Sequence, residues 1–85
     1  MMDKNDWRLQ GQEKYLSGKK LMRIPYSPWS KTWDHDHCEF CWATFSEFDG
    51  DLHEGYTTED RRTWICPACF ADFQKMFEWE LIETQ

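Results

Sequence analysis

The sequence has no long apolar run. No stretch approaches the roughly 20 consecutive apolar residues of a transmembrane helix, and no apolar segment follows the first residues as it would in a secretory signal. We therefore expect no membrane contact, no secretory leader and a reducing, cytoplasmic compartment. In such a compartment paired cysteines bind metal more often than they form disulfides.

Positive charge is also scarce, and it is unevenly placed. The net charge is −6, made up of seven Lys/Arg and three Asp/Glu in residues 1–33 against three and thirteen in residues 34–85. Because an excess of carboxylates repels phosphate backbones, we expect a protein partner rather than nucleic acid. The basic first third is a local exception. A nucleic-acid contact would use its basic side chains, which are Lys14, Lys19, Lys20 and Arg23.

The chain has only 85 residues. A chain of this length forms one domain and often needs a metal, a disulfide or a partner to stay folded. Six Trp, six Phe and three Tyr supply large rings for a compact core. We predict a single domain over residues 1–85, in which an N-terminal helix and proline-containing loop (1–33) pack on a four-cysteine unit (34–85). Most tryptophans are expected in the core, with Trp29 exposed as a contact residue.

The four cysteines form two Cys-x-x-Cys pairs, Cys38 with Cys41 and Cys66 with Cys69. A two-residue spacer lets a tight turn aim both sulfurs at one point, and two such turns complete a tetrahedron around zinc. The pattern predicts that all four bind one structural Zn²⁺. Iron is the alternative, because four thiolates also bind iron. The second pair, with Pro67, resembles a rubredoxin knuckle.

Rubredoxin knuckles carry glycine after the second cysteine, whereas this chain has Trp42 and Phe70 there, which favours zinc. The order of a cysteine knuckle, a β-hairpin and a Cys-Pro-x-Cys that leads into a helix resembles the treble-clef zinc finger over residues 38–82. The resemblance implies a small α+β zinc-binding domain whose helix begins at the second pair. A zinc ribbon remains the alternative fold.

A second resemblance covers most of the chain. The strings DWRLxxQxxYL, from Asp6, and HxHCxFC, from His35, resemble a group of small uncharacterised bacterial proteins. This resemblance implies no particular activity.

Local patterns predict the remaining elements. Asp6 is a candidate N-cap and Gly18 a candidate stop for the first helix. Apolar spacing places Phe70, Phe73, Phe77 and Leu81 on one side of the last helix. The predicted elements are a helix over 6–17, strands over 19–24, 45–48, 56–58 and 62–65, and a helix over 70–82.

The two histidines just before the first pair, His35 and His37, are expected outside the metal site, with His37 the candidate to replace a cysteine. Four thiolates would close the coordination sphere of zinc, so we expect no enzyme. We expect a protein-interaction or regulatory module. The alternatives are a nucleic-acid-binding zinc finger and a thiol redox protein that uses Cys66 and Cys69, since thiols at a helix N-terminus are acidified.

Overall fold

The structure, a computed structural model, describes residues 6–28 and 30–82. The chain forms a small mixed α+β arrangement of two sheets and one long helix. The elements in chain order are α1 Glu13–Leu16, β1 Lys20–Pro25, β2 His35–His37, β3 Thr44–Ser46, β4 Glu54–Thr57, β5 Trp64–Ile65, α2 Pro67–Phe77 and β6 Glu80–Ile82.

The larger sheet has the strand order β5-β4-β1-β6. Strand β1 runs antiparallel to β4, with Arg23 opposite Tyr56, and β4 runs antiparallel to β5, with Tyr56 opposite Ile65. Strand β6 pairs with β1 in parallel, with Leu21 opposite Leu81. Strands β2 and β3 form a separate antiparallel hairpin. The N-terminal third thus contributes the strand that joins β4 to β6.

The core is aromatic and centres on Phe40, the ring between the first two cysteines. This side chain is fully buried. Its ring lies 4.9 Å from that of Phe73 and 5.4 Å from that of Phe77, both on α2, and 5.7 Å from Trp79. Burial of a large ring is among the strongest stabilising contributions in a small domain. The turn that carries the first cysteine pair is therefore anchored to the helix that carries the second.

The helix predicted over residues 6–17 is largely wrong, because only Glu13–Leu16 is helical. Asp6 does cap a turn, since its carboxylate accepts a hydrogen bond from the backbone N–H of Arg8 at 2.9 Å. The turn is not continued, because Gly11 adopts a φ of 88° and breaks the helical path. The Gln12 side chain spans this break in the helix by donating a hydrogen bond to the carbonyl of Arg8 at 2.9 Å.

The helix predicted over residues 70–82 is correct in its first part and wrong at its end. Helix α2 stops at Phe77, and Glu78 takes a left-handed conformation with a φ of 56°. The reversal buries Trp79, whose indole N–H donates to the carbonyl of Leu16 at 3.0 Å. Burial of this ring and the pairing of β6 with β1 override helical propensity, and Leu81 is half exposed rather than in the core.

The predicted strands over 19–24, 45–48, 56–58 and 62–65 are confirmed with boundary shifts, whereas strand β2 was not predicted. The expectation that most tryptophans are buried is wrong for the described residues. Trp64 and Trp79 are buried, but Trp7, Trp33 and Trp42 are exposed. Trp29 lies outside the described residues. Over the described ranges, no helix has the length and apolarity needed to cross a bilayer.

Phe40→Ala should lower the free energy of unfolding of the metal-loaded protein by about 3–5 kcal/mol, because it leaves a cavity between the knuckle and α2. Phe48→Ala is the matched control, since this ring is 65 % exposed and near the same hairpin. The control should stay within about 0.5 kcal/mol of wild type. Denaturant titration followed by circular dichroism measures both, and equal losses would contradict the packing described here.

Candidate metal centre

The first cysteine pair lies on the turn between β2 and β3. Cys38 donates its backbone N–H to the carbonyl of Ala43 at 2.8 Å, and Trp42 donates to the carbonyl of Cys38 at 3.1 Å. These bonds close a tight knuckle that turns both sulfurs inward. The closure places Trp42 in the left-handed region, with a φ of 68°. Glycine adopts this conformation without strain, whereas a side chain costs about 1–2 kcal/mol.

The second pair lies at the start of α2. Cys66 is the N-cap, and its sulfur accepts a hydrogen bond from the backbone N–H of Cys69 at 3.5 Å. Pro67 occupies the first helical turn, where its missing N–H is not needed. The partial positive charge at a helix N-terminus favours thiolates at this position. The local sequence Cys-Pro-x-Cys thus both starts the helix and presents two sulfurs.

The fold brings the four sulfurs together. The sulfurs of Cys38, Cys41, Cys66 and Cys69 all lie within 4.8 Å of one another, and those of Cys41 and Cys66 are 3.6 Å apart. A tetrahedral zinc site with Zn–S bonds of about 2.3 Å requires sulfurs about 3.8 Å apart. All four are free thiols, and three of them are buried. The cluster could therefore hold a metal ion, and its donor set suits zinc, with iron using the same ligands.

The surroundings of the sulfurs stabilise negative charge. The Cys38 sulfur accepts hydrogen bonds from the backbone N–H groups of Phe40 and Cys66, both at 3.4 Å. Hydrogen bonds from the neighbouring thiols lower the pKa of Cys38 far below its usual range. The hydrogen bond to Cys38 raises the pKa of Cys69, and the equivalent bond raises the pKa of Cys66 to about 11. A cation among the sulfurs would offset the charge of the thiolates.

Arg8 contacts this cluster from the N-terminal segment. Its guanidinium donates to the sulfur of Cys69 at 3.4 Å and to the carboxylate of Asp72 at 3.0 Å. Asp6 accepts two further bonds from the guanidinium at 2.9 Å, and the charge lies 4.5 Å from the centre of the Phe73 ring. The bonds from Arg8 lower the pKa of Asp6 to about 2. Sequence reasoning did not predict this contact, although Arg8 stands in the DWRL string.

Gln12 ties the same segment to the knuckle. Its side chain is buried and donates to the carbonyl of Glu39, between the first two cysteines, at 3.0 Å. The hydroxyl of Tyr15 also donates to the Glu39 carboxylate at 2.6 Å. Burial and this carboxylate raise the pKa of Tyr15 to about 12. Residues far from the cysteines in sequence thus form one wall of the candidate metal centre.

The two histidines lie on β2 and are exposed. The Nδ1 atom of His37 is 3.3 Å from the carbonyl of Trp42, and that of His35 is 2.6 Å from a carboxylate oxygen of Asp34. Within residues 6–28 and 30–82, the four cysteines are the one group of three or more metal-binding side chains so close together. Neither histidine belongs to this group. The geometry therefore does not support His37 as a ligand in place of one of the cysteines.

Single substitutions test whether the zinc ligands are the four cysteines alone or include His37. Cys69→Ser should reduce zinc binding by at least tenfold, because a hydroxyl is a poor ligand for zinc in a thiolate site. His37→Ala, the control, should retain one zinc per chain. Competition with a chromogenic chelator measures both affinities. Loss of zinc from the histidine variant at the same level would show that the site includes His37.

Comparison of the chain with protein-family models, with curated proteins and with solved structures finds no match. The resemblances to the treble clef and to the bacterial group therefore remain predictions from the sequence. What the chain does has to be inferred from the geometry of the four-sulfur cluster and of the surfaces around it.

Proposed function

We propose that the chain is a small structural-zinc module whose knuckle, hairpin and helix are arranged as in a treble clef. The single observation that carries this proposal is the convergence of four sulfurs within 4.8 Å. Structural zinc contributes an apparent binding free energy of about 10–16 kcal/mol in small peptides, comparable to or larger than the stability of a typical domain. With four sulfurs, the zinc keeps no open position for substrate, so the proposed module is not an enzyme.

The zinc module is further proposed to present Trp42 to a protein partner. Trp42 is 60 % exposed, and its backbone is held in the strained left-handed region. A strained residue at an exposed position is a candidate for function rather than for stability. Exposed tryptophan is also the side chain most enriched among energetically dominant interface residues.

The partner surface is proposed to be basic. Residues 34–60, which include the hairpin, carry nine carboxylates and no lysine or arginine. Near the hairpin, Trp33 and Phe48 line an open cleft of about 620 Å³, where, among the described residues, the carboxylates of Glu47 and Asp34 outnumber the one amine, that of Lys31. Carboxylates around exposed rings complement a positively charged partner, which they attract at long range and orient.

The nucleic-acid alternative has weaker support. Arg23 lies on β1 with its guanidinium 3.4 Å from the carboxylate of Glu54, and it also faces the ring of Tyr56. Lys19 and Lys20 are exposed but line a cleft with Glu59 and Asp60. Mixed charge of this kind makes a poor phosphate surface. The redox alternative requires Cys66 to be reactive, whereas a bound metal would protect its thiolate.

Zinc should be present at one ion per chain in protein purified without added metal. Removal by a chelator should abolish most of the near- and far-ultraviolet circular dichroism, because the binding free energy of the ion no longer contributes to folding. Adding Zn²⁺ should restore both signals. Protein that contains no metal, or that keeps its full spectrum with chelator, would contradict the structural-zinc proposal. Elemental analysis at the same time distinguishes zinc from iron.

Trp42→Gly should remove binding to the partner while leaving stability within about 1 kcal/mol of wild type or higher, because glycine suits the left-handed backbone. Trp7→Ala is the matched control, since Trp7 is 66 % exposed and lies in the N-terminal segment rather than on the hairpin. Affinity capture from nuclease-treated extract, quantified by mass spectrometry, compares the three proteins at two salt concentrations.

The proposal requires at least one protein to bind wild type and the Trp7 variant but not the Trp42 variant, and to bind less at high salt. Equal capture by all three proteins would contradict a role for Trp42. A parallel capture from untreated extract completes the comparison, and partners found there but absent from the nuclease-treated extract would instead favour the nucleic-acid alternative.

A further inference from the structure

We propose that Arg8 is a positioning residue of the metal centre, which holds the Cys69 thiolate toward the ion and slows metal release. This inference rests on the proposed zinc site and adds a residue outside the two cysteine pairs. The first reason is the negative charge of the proposed centre. Four thiolates around Zn²⁺ carry a net charge of −2, and three of the four cysteines are buried. Buried charge without a counter-ion is unfavourable, so the centre requires positive charge or N–H donors nearby.

The Arg8 guanidinium supplies both. It lies 3.4 Å from the sulfur of Cys69, and the side chain is only 13 % exposed. Hydrogen bonds from a charged donor are roughly twice as strong as those between neutral groups. The backbone N–H groups of the cluster reach Cys38 and Cys66. Arg8 thus gives the Cys69 sulfur a hydrogen bond from a positively charged side chain.

Contacts other than the one with Cys69 fix the guanidinium in the folded chain. Asp6 holds it by two parallel bonds of 2.9 Å, and the Phe73 ring lies 4.5 Å beneath its charge. The segment that carries Arg8 is itself held by Gln12, which bonds the backbone of Glu39. A donor that is already oriented loses little conformational entropy when the thiolate forms. This arrangement is more than a surface ion pair, because three separate contacts aim one N–H group at the sulfur.

Two carboxylates lie beside Arg8, and their charges make the inference testable in two directions. Asp6 and Asp72 both lie next to Arg8, so its removal leaves two negative groups close to a negative metal centre. Asp72 is 42 % exposed, and it shares the same guanidinium nitrogen with Cys69. Loss of the Asp72 charge should therefore leave more of the positive charge of Arg8 to stabilise the thiolate. Substitutions of Arg8 and of Asp72 are expected to act in opposite directions, whereas a merely structural ion pair would give losses in both.

The experiment compares wild type, Arg8→Gln, Arg8→Lys and Asp72→Asn as zinc-loaded full chains. Transfer of zinc to an excess of chelator should be 10–100-fold faster for Arg8→Gln, the range seen when a hydrogen-bonding partner of a ligand is lost. Arg8→Lys should be intermediate, because lysine keeps the charge but not the planar fork. Asp72→Asn should release zinc at the wild-type rate or more slowly. Circular dichroism of the loaded proteins checks that each is folded.

A second readout responds to charge rather than to folding. Each chain is reloaded with iron, and the Fe(III)/Fe(II) potential is measured by voltammetry. Arg8→Gln should lower the potential, because removal of a nearby positive charge favours Fe(III), whereas Arg8→Lys should largely restore it. Equal release rates and equal potentials in wild type and Arg8→Gln would overturn the inference alone. A wild-type chain that binds neither metal would overturn both the inference and the proposed function.

Discussion

The contact between the knuckle and helix α2 is the constraint on which the rest of the structure depends. Phe40 stands between two cysteines and stacks on Phe73 at 4.9 Å, so burial of its ring places the first pair of sulfurs beside the second. The backbone N–H of Cys66 then bonds the sulfur of Cys38 across the same junction. The same two segments, the knuckle and helix α2, both bury the Phe40 ring and bring the sulfurs together. In the proposed zinc module, metal binding and core formation would therefore occur as one cooperative event, as they do in domains whose metal supplies folding energy.

The sequence predicts the parts of this junction that are local. A two-residue spacer, a proline in the first helical turn and an N-cap act within a few residues, so the knuckle and the start of α2 could be predicted. The wall formed by Arg8 and Gln12 could not, because its partners lie 27 to 61 residues away. Helical propensity is misleading at the end of the last helix for the same reason, because the burial of Trp79 depends on contacts distant in sequence. At the first helix the signal is local, since Gly11 adopts a positive φ and interrupts the helical path.

The tryptophans show a similar limit. Composition indicates that many rings must be placed but not which of them are buried. In the part of the chain that the structure describes, the indole N–H groups of the two buried tryptophans donate to a backbone carbonyl at 3.0 Å, Trp64 to Arg61 and Trp79 to Leu16. A buried indole needs such an acceptor, since an unpaired N–H group in the core is costly. The acceptor of Trp64 lies three residues away, whereas that of Trp79 lies 63 residues away and is within reach only in the folded topology.

The strain at Trp42 is best understood together with the metal. A left-handed tryptophan persists only when the surrounding backbone fixes its conformation. Here the hydrogen bonds of Cys38 and Trp42 close the turn, and a metal bound by the adjacent sulfurs would fix it further. An exposed ring on such a rigid turn loses little conformational entropy when a partner covers it, and preorganisation of this kind increases affinity without new contacts. The proposed zinc would therefore serve recognition as well as stability, because it would hold the turn in the one conformation that presents the indole ring to solvent.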